Sequence, residues 1–262
     1  MNVKDQVVLV TGGSTGLGEQ LCYEAARNGA IVVVCARRVQ EIERVKVKCQ
    51  QLSQRPAYAF ALDVSDFASI DAVLAELKQQ VGSVDVLINN AGFGVFETFT
   101  DFQMSIAREM FEVNVFGMMY LTQKIVAQML KKQHGQIVNV ASIAGKIATP
   151  KSAVYSATKF AVLGFSNALR LELKPHNIQV MTVNPGPIQT EFFERADPDG
   201  AYLANLNGRM LSAQRLATTI LVAIKKEKRE VNRPRSMEFA ARFYQLFPQL
   251  GDYLAGGVFN KK

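Results

Sequence analysis

The chain is poor in residues that staple or ligate. Among 262 residues there are three cysteines, Cys22, Cys35 and Cys49, and two histidines, His134 and His176. The cysteines lie 13 and 14 positions apart with no C-x-x-C pair, and their odd number fits neither a disulfide framework nor a zinc ribbon. Reduced thiols in a cytoplasmic protein are the simple expectation. Two distant histidines, both read as loop residues, cannot assemble a His-rich site, so no metal is assigned. Long apolar runs are also missing. The longest, such as Ala30 to Ala36, supply about a third of the ~20 residues that a membrane-crossing helix needs. The start, Met1 to Gln6, passes directly into an apolar strand at Val7 and leaves no room for a secretory leader.

What is present is core material. Hydrophobic residues make up 48% and charged residues 20%, with a mean hydropathy of +0.05, which excludes intrinsic disorder. The net charge of +7 is local: residues 225–235 hold six basic and two acidic side chains, or +4.

Strand and helix patterns alternate from Val7 onward. Strands are predicted at Val7–Val10, Ile31–Ala36, Tyr58–Leu62, Val84–Asn89, Ile137–Val140 and Ile178–Asn184. Helices are predicted between them, among them Glu19–Asn28, Val39–Leu52, Asp66–Val81, Met104–Lys132 and Ser152–Leu173. Strict alternation over about 190 residues predicts an α/β fold, a single-domain, doubly wound (Rossmann) parallel β-sheet with helices on both faces. Residues 1–225 are assigned to this dinucleotide-binding and catalytic unit, with a substrate loop at about 187–211 carrying the Asp197-Pro198-Asp199-Gly200 turn signal. A helix resumes near Ser212 and runs to about Glu227. Residues 226–262 are read as a basic, amphipathic C-terminal extension of the same domain.

Thr11-Gly12-Gly13-Ser14-Thr15-Gly16-Leu17-Gly18 lies between the first strand and the first helix, where helix N-terminal amides meet a dinucleotide pyrophosphate. Glycine is needed there for a tight turn and for close approach of backbone to phosphate. A plain Gly-rich turn is the competing reading. No Gly-Lys-Ser/Thr follows, which disfavours a nucleotide triphosphatase. At the end of the second strand, where NAD-binding units carry an acid for the ribose 2′-hydroxyl, the chain reads Ala36-Arg37-Arg38. Paired guanidinium groups fit a 2′-phosphate, so NADP(H) is the expected cofactor, with a solvated charged rim as the alternative.

Tyr155 and Lys159 are four residues apart and so project from one helix face. A phenol with a pKa near 10 is a poor acid-base at neutral pH, and a nearby ammonium favours its ionised form. Ser142 follows an apolar strand, at the end of the sheet where ligands bind, and Gly-x-Ser-x-Gly is absent, which disfavours covalent hydrolysis.

Taken together, Thr11-Gly12 to Gly18, Asn89-Asn90-Ala91-Gly92, Asn114, Ser142, Tyr155-x-x-x-Lys159 and Asn184-Pro185-Gly186 resemble the short-chain dehydrogenase/reductase family, in its NADP-preferring form, over about residues 5–225. The Gly12-x-x-x-Gly16-x-Gly18 spacing is that family's own. The resemblance implies that Tyr155 exchanges a proton with a carbonyl or alcohol oxygen and that Lys159 both lowers its pKa and binds the nicotinamide ribose. Ser142 would orient the substrate oxygen, and Asn114 would support the proton relay through a water, unless it is only a satisfied core asparagine. The same resemblance puts Asp63 and Val64 at the adenine, with Asp63 as a helix cap being the alternative. It sets Asn90, Ala91 and Gly92 beside the adenosine ribose, and Pro185, Gly186, Ile188 and Thr190 at the carboxamide and pyrophosphate. The expected function is an NADP(H)-dependent oxidoreductase for a small-molecule carbonyl/alcohol substrate, and the alternative is a catalytically silent NADP-binding regulator or scaffold.

Phe239, Phe243, Leu246, Phe247 and Leu250 form an apolar helical stripe after the basic run, which Pro248 should interrupt. Packing on the body, a second subunit and a peripheral membrane contact all stay open for it. Nucleic acid is disfavoured, because the run lacks interleaved aromatics. A homo-oligomer, dimer or tetramer, is expected from apolar residues on the long helices: Phe111, Val115, Met118 and Met119, and Val162, Phe165, Leu169 and Leu173.

Overall fold

The computed structural model describes residues 2–205 and 210–256. Parts of the substrate loop (206–209) and of the C-terminal extension (257–262) lie outside the described residues.

Seven parallel strands form one sheet in the order β3-β2-β1-β4-β5-β6-β7. They are β1 (Val7–Thr11), β2 (Ile31–Ala36), β3 (Ala57–Ala61), β4 (Val86–Asn89), β5 (Gly135–Val140), β6 (Ile178–Pro185) and β7 (Glu230–Arg233). The helices are α1 (Gly16–Arg27), α2 (Val39–Ser53), α3 (Phe67–Gln80), α4 (Met104–Phe111), α5 (Met118–Lys132), α6 (Ala153–Leu173), α7 (Phe192–Ala196), α8 (Ala201–Asn205), α9 (Ala213–Lys225), α10 (Arg235–Leu246) and α11 (Pro248–Gly256). Each parallel pairing requires a crossover, which the intervening helix supplies.

Alternation along the strands divides the core between the two faces. Val8 and Val10 of β1 turn toward the layer with α1 and α9, while Val7 and Leu9 turn toward the layer with α3 and α5. All four are buried. That double burial is why the strands read as continuous apolar runs. The order reverses between β1 and β4, so a crevice opens at their C-terminal ends, where Thr11 and Asn89 finish their strands.

Three elements differ from the sequence expectation. The predicted helix 104–132 is broken by a π-helical turn at Glu112–Gly117, which carries Asn114. The turn presses on the loop after β3, where a Cβ at Gly117 would run into the Val64 carbonyl oxygen. The basic run holds a seventh strand that extends the sheet; its single apolar residue, Val231, gave no period to read. Finally, Val115, Met118, Val162 and Leu173, expected to face outward, are buried, and Phe111, Met119, Phe165 and Leu169 are half-buried. The outward large apolar residues of these helices are Met104, Phe116, Phe160 and Leu171. Among the described residues, no helix is long and apolar enough to cross a membrane.

Candidate active site

One cavity of 1270 Å³ runs along the C-terminal ends of the strands, with α10 and α11 closing part of one side. Its wall includes Gly12, Ser14, Thr15, Gly16, Leu17, Gly18, Arg37, Arg38, Asp63, Val64, Asn90, Ala91, Gly92, Ser142, Tyr155, Lys159, Pro185, Gly186, Ile188 and Thr190. Of the residues given a catalytic or cofactor role from the sequence, Asn114 alone does not line it. Single-ligand pockets run to about 1000 Å³, so the cavity has room for a dinucleotide and a second molecule.

The glycine turn is built by close approach. Gly12 and Gly16 have φ of +63° and +58°, and a Cβ on Gly12 would sit 2.9 Å from the Ala91 Cα. Thr11 and Asn90 hold the turn from below: the Thr11 hydroxyl accepts from the Asn90 and Ala91 amides at 3.0 Å, and Asn90 Nδ2 donates to the Thr11 and Gly12 carbonyls. The Asn90 side chain is therefore spent on the loop. With the α1 N-terminus pointing at it, the turn fits a pyrophosphate.

At the β2 end, Arg37 is exposed. Asp63 is held below the usual carboxylate range: burial opposes this, but the Ser65 hydroxyl and amide and the charge of Arg37 prevail. The cap of α3 is Asp66, which accepts from the Ala68 amide. Arg38 Nη2 donates to Thr15 Oγ1 at 2.9 Å and to Ser14 Oγ at 3.4 Å, and it pairs with Glu191 at 3.5 Å. The sequence near the strand end had shown no carboxylate; the fold brings one from 153 residues away.

At the other end, Ser142 Oγ accepts from the Ala144 amide at 3.1 Å and lies 3.4 Å from the Pro185 carbonyl oxygen. Tyr155 and Lys159 are buried on α6. Burial pushes the Tyr155 phenol up to about 12, against the hydrogen bond from Ser142, which lowers it. Burial also brings Lys159 down to about 8. Lys159 Nζ donates to the Val140 carbonyl at 3.1 Å and stands 5.7 Å from the Tyr155 ring centre. In the chain alone the phenol is therefore held above its ordinary value, because desolvation dominates there.

Asn114 is fully engaged. Its Oδ1 accepts from the Phe93 amide at 3.0 Å, and its Nδ2 donates to the Phe93 carbonyl and to Thr158 Oγ1. It joins the loop after β4 to α6, and the π turn sets its depth.

Sequence reading missed much of the far wall. Glu109, Arg195 and Tyr202 line it, with Met237, Phe239, Ala240, Phe243 and Tyr244 from α10. The apolar stripe at 239–250 was a visible signal, but nothing in the sequence said that it bordered the cleft. The free thiols of Cys22, Cys35 and Cys49 are buried, and burial pushes each upward, which makes them poor nucleophiles.

Comparison with known proteins adds three findings. Residues 6–200 match the short chain dehydrogenase family model. A human protein, dehydrogenase/reductase SDR family member 7, is 37% identical over 196 residues, which is 73% of this chain and 58% of that protein's length. Two solved structures share the fold. One is a short-chain dehydrogenase from Sphingobium yanoikuyae in complex with NADPH (25% identity, TM-score 0.81, 95% of each chain). The other is a short chain dehydrogenase/reductase from Burkholderia phymatum in complex with NAD (21% identity, TM-score 0.88, 95% of this chain and 96% of that one).

Proposed function

From the chain's membership of the short-chain dehydrogenase/reductase family, we propose that it is an NADP(H)-dependent oxidoreductase that interconverts a carbonyl and a secondary alcohol. One observation carries the reading: Ser142, Tyr155 and Lys159 converge in a cavity whose other end is the glycine turn and Arg37–Arg38. A nicotinamide held along this cavity would supply or accept the hydride at the substrate carbon. Every other step falls to the chain. Ser142 and Tyr155 bracket the substrate oxygen. The phenol, protonated at neutral pH because burial holds it near 12, gives its proton as that oxygen gains negative charge. Lys159, below its own value of about 8, is an ammonium that stabilises the phenolate left behind and also reaches the ribose side of the cavity. Asn114 is a positioning residue that keeps α6 and the 91–94 loop in register.

Fold likeness does not choose the cofactor, since one neighbour holds NADPH and another NAD. Arg37 and Arg38 favour the 2′-phosphate. Free buried thiols suit a reducing, cytoplasmic setting, and exposed Phe116, Phe160 and Leu171 suit a homo-oligomer. The deciding experiment follows NADPH absorbance with a panel of ketones, and NADP+ reduction with the matching alcohols. Consumption that requires Tyr155 supports the reading. Tight NADPH binding with no turnover on any member would favour the silent regulator.

A further inference from the structure

Past Ser142 and Tyr155 the cleft continues between the 192–205 segment and α10–α11, and several of its polar groups there are engaged with one another. Arg195 pairs with Glu109 at 2.7 Å and lies 3.6 Å above the Phe93 ring. The Tyr244 hydroxyl donates to Asp252 at 2.7 Å, and Thr149 is tied to Ser152. Tyr202 packs on Phe96 and Phe193. A sugar or a carboxylate entering here would have to break these pairs or bury its own polar groups without partners, which is costly. A molecule with one reacting oxygen and an apolar remainder meets neither obstacle.

The apolar remainder has a surface to lie on. Phe239 and Phe243 line the cleft yet are 81% and 37% exposed, and Leu246, Phe247 and Leu250 continue that face outward. α10 is fixed against the reacting end: the Gly186 amide donates to the Arg233 carbonyl at 2.7 Å, and a Cβ on Gly186 would meet the Met237 sulfur at 2.7 Å.

We propose, building on the carbonyl/alcohol reading above, that the substrate is an elongated apolar ketone or secondary alcohol whose tail lies along α10 at Phe239 and Phe243, so that this helix sets the chain-length preference. An anionic bilayer suits the face less well. β7 separates Lys225–Arg229 from α10; Lys225 bonds Asn28 and Arg229 bonds Asn167, on other elements. Near the stripe, Glu238 pairs with Arg242.

The test compares the methyl ketones butanone, hexanone, octanone and decanone, by kcat/KM with NADPH and by calorimetric binding to the NADPH-saturated protein. In the unaltered protein both measures are expected to improve by roughly fourfold for each methylene buried. In Phe239→Ser/Phe243→Ser the ratio of decanone to butanone, taken within the variant, collapses to a few-fold. Ala240→Phe, which fills the trough rather than stripping it, serves if that variant does not fold, and it selectively weakens the long ketones. Length-dependent binding without turnover of any ketone would uphold the tail site and reject the reductase reading. Turnover that is flat across the series would overturn the tail site and leave the reductase. Flat turnover together with Phe239-dependent sedimentation on phosphatidylserine vesicles would instead assign the face to a bilayer.

Discussion

The two ends of the cleft are built by opposite means. Along the part of the cleft that holds the glycine turn and the reacting groups, most side chains sit at strand ends or in the turns that follow, with Tyr155 and Lys159 on α6, and several are fixed by backbone contacts. Asn90 on the Thr11 and Gly12 carbonyls and Ser142 beside the Pro185 carbonyl are examples. At the substrate end the walls are α7, α8, α10 and α11, which meet the body through aromatic packing, a rim ion pair, the Phe96 amide on the Ala196 carbonyl and the seat of Met237 on Gly186. Chemistry that needs sub-ångström placement belongs on the rigid part, and selection among apolar shapes belongs on the adaptable part. A change at the first end should therefore act on rate or on cofactor identity, and one at the second on which molecule is accepted.

The largest expected effect tests the rigid end. Tyr155→Phe keeps the ring that packs on Phe96 and Phe192 and removes the hydroxyl that carries the proton. Turnover on any confirmed ketone is expected to fall by about 10²–10⁴-fold, with NADPH affinity within about twofold of the original. Retained turnover would transfer the proton donor to another group. Next in size is Arg37→Ala with Arg38→Ala, which should weaken NADPH binding by about 2–4 kcal/mol and leave NADH nearly untouched. Equal losses for both cofactors would mean that the pair serves the adenosine or the loop rather than the phosphate.

Burial of Lys159 makes a third, smaller effect readable in the chain without cofactor. Its folded value of about 8 lies below the ordinary 10.5. Between those values the unfolded chain keeps a proton that the folded chain has released, so stability rises with pH across that window, and below pH 8 the full desolvation cost is present. Tyr155 acts in the opposite direction from about pH 10 upward, since its folded value of about 12 exceeds the unfolded one. The buried thiols of Cys22, Cys35 and Cys49, all pushed upward, oppose the Lys159 gain over part of the same range, so the effect is read as a difference: from pH 8 to 10 the unaltered chain should gain on the order of 2–3 kcal/mol relative to Lys159→Met in urea unfolding. An unchanged slope in the variant would mean that the amine is solvated.

The same contrast explains what the sequence disclosed. The sheet was legible because strands buried on both faces leave uninterrupted runs such as Ile31–Ala36, and the glycine turn because Gly12 and Gly16 occupy positive φ, where a side chain is strained. The π turn was not legible: it keeps a helical period on both sides and differs only in where Asn114 ends up. β7 was hidden because a short edge strand with one apolar residue has no period. Phe239 and Phe243 displayed a helical stripe without an address. Their place on the cleft depends on Gly186 yielding room to Met237, a contact between residues 51 apart in sequence. The missing information was tertiary in each case, and most of it belongs to the adaptable end.

The smallest effect lies where the two ends touch. Glu191 stands at the start of the substrate-side segment, yet its carboxylate is 3.5 Å from Arg38 of the dinucleotide end, with both side chains 54% exposed. Such an exposed pair contributes at most about 1 kcal/mol, so the fold does not depend on it. It matters for binding because the carboxylate competes for the guanidinium and repels an arriving 2′-phosphate. Glu191→Gln should therefore tighten NADPH by about two- to fivefold at low ionic strength, and the gain should fade in high salt as screening removes the repulsion. NADH, which lacks that phosphate, should be indifferent. Were NADH to tighten equally, the pair would be restraining the 187–196 segment rather than guarding the phosphate site; were NADPH to weaken, Glu191 would be holding Arg38 in its binding pose. Titration of both cofactors into both proteins at two salt concentrations separates these outcomes and shows whether the adaptable end reports on the rigid one.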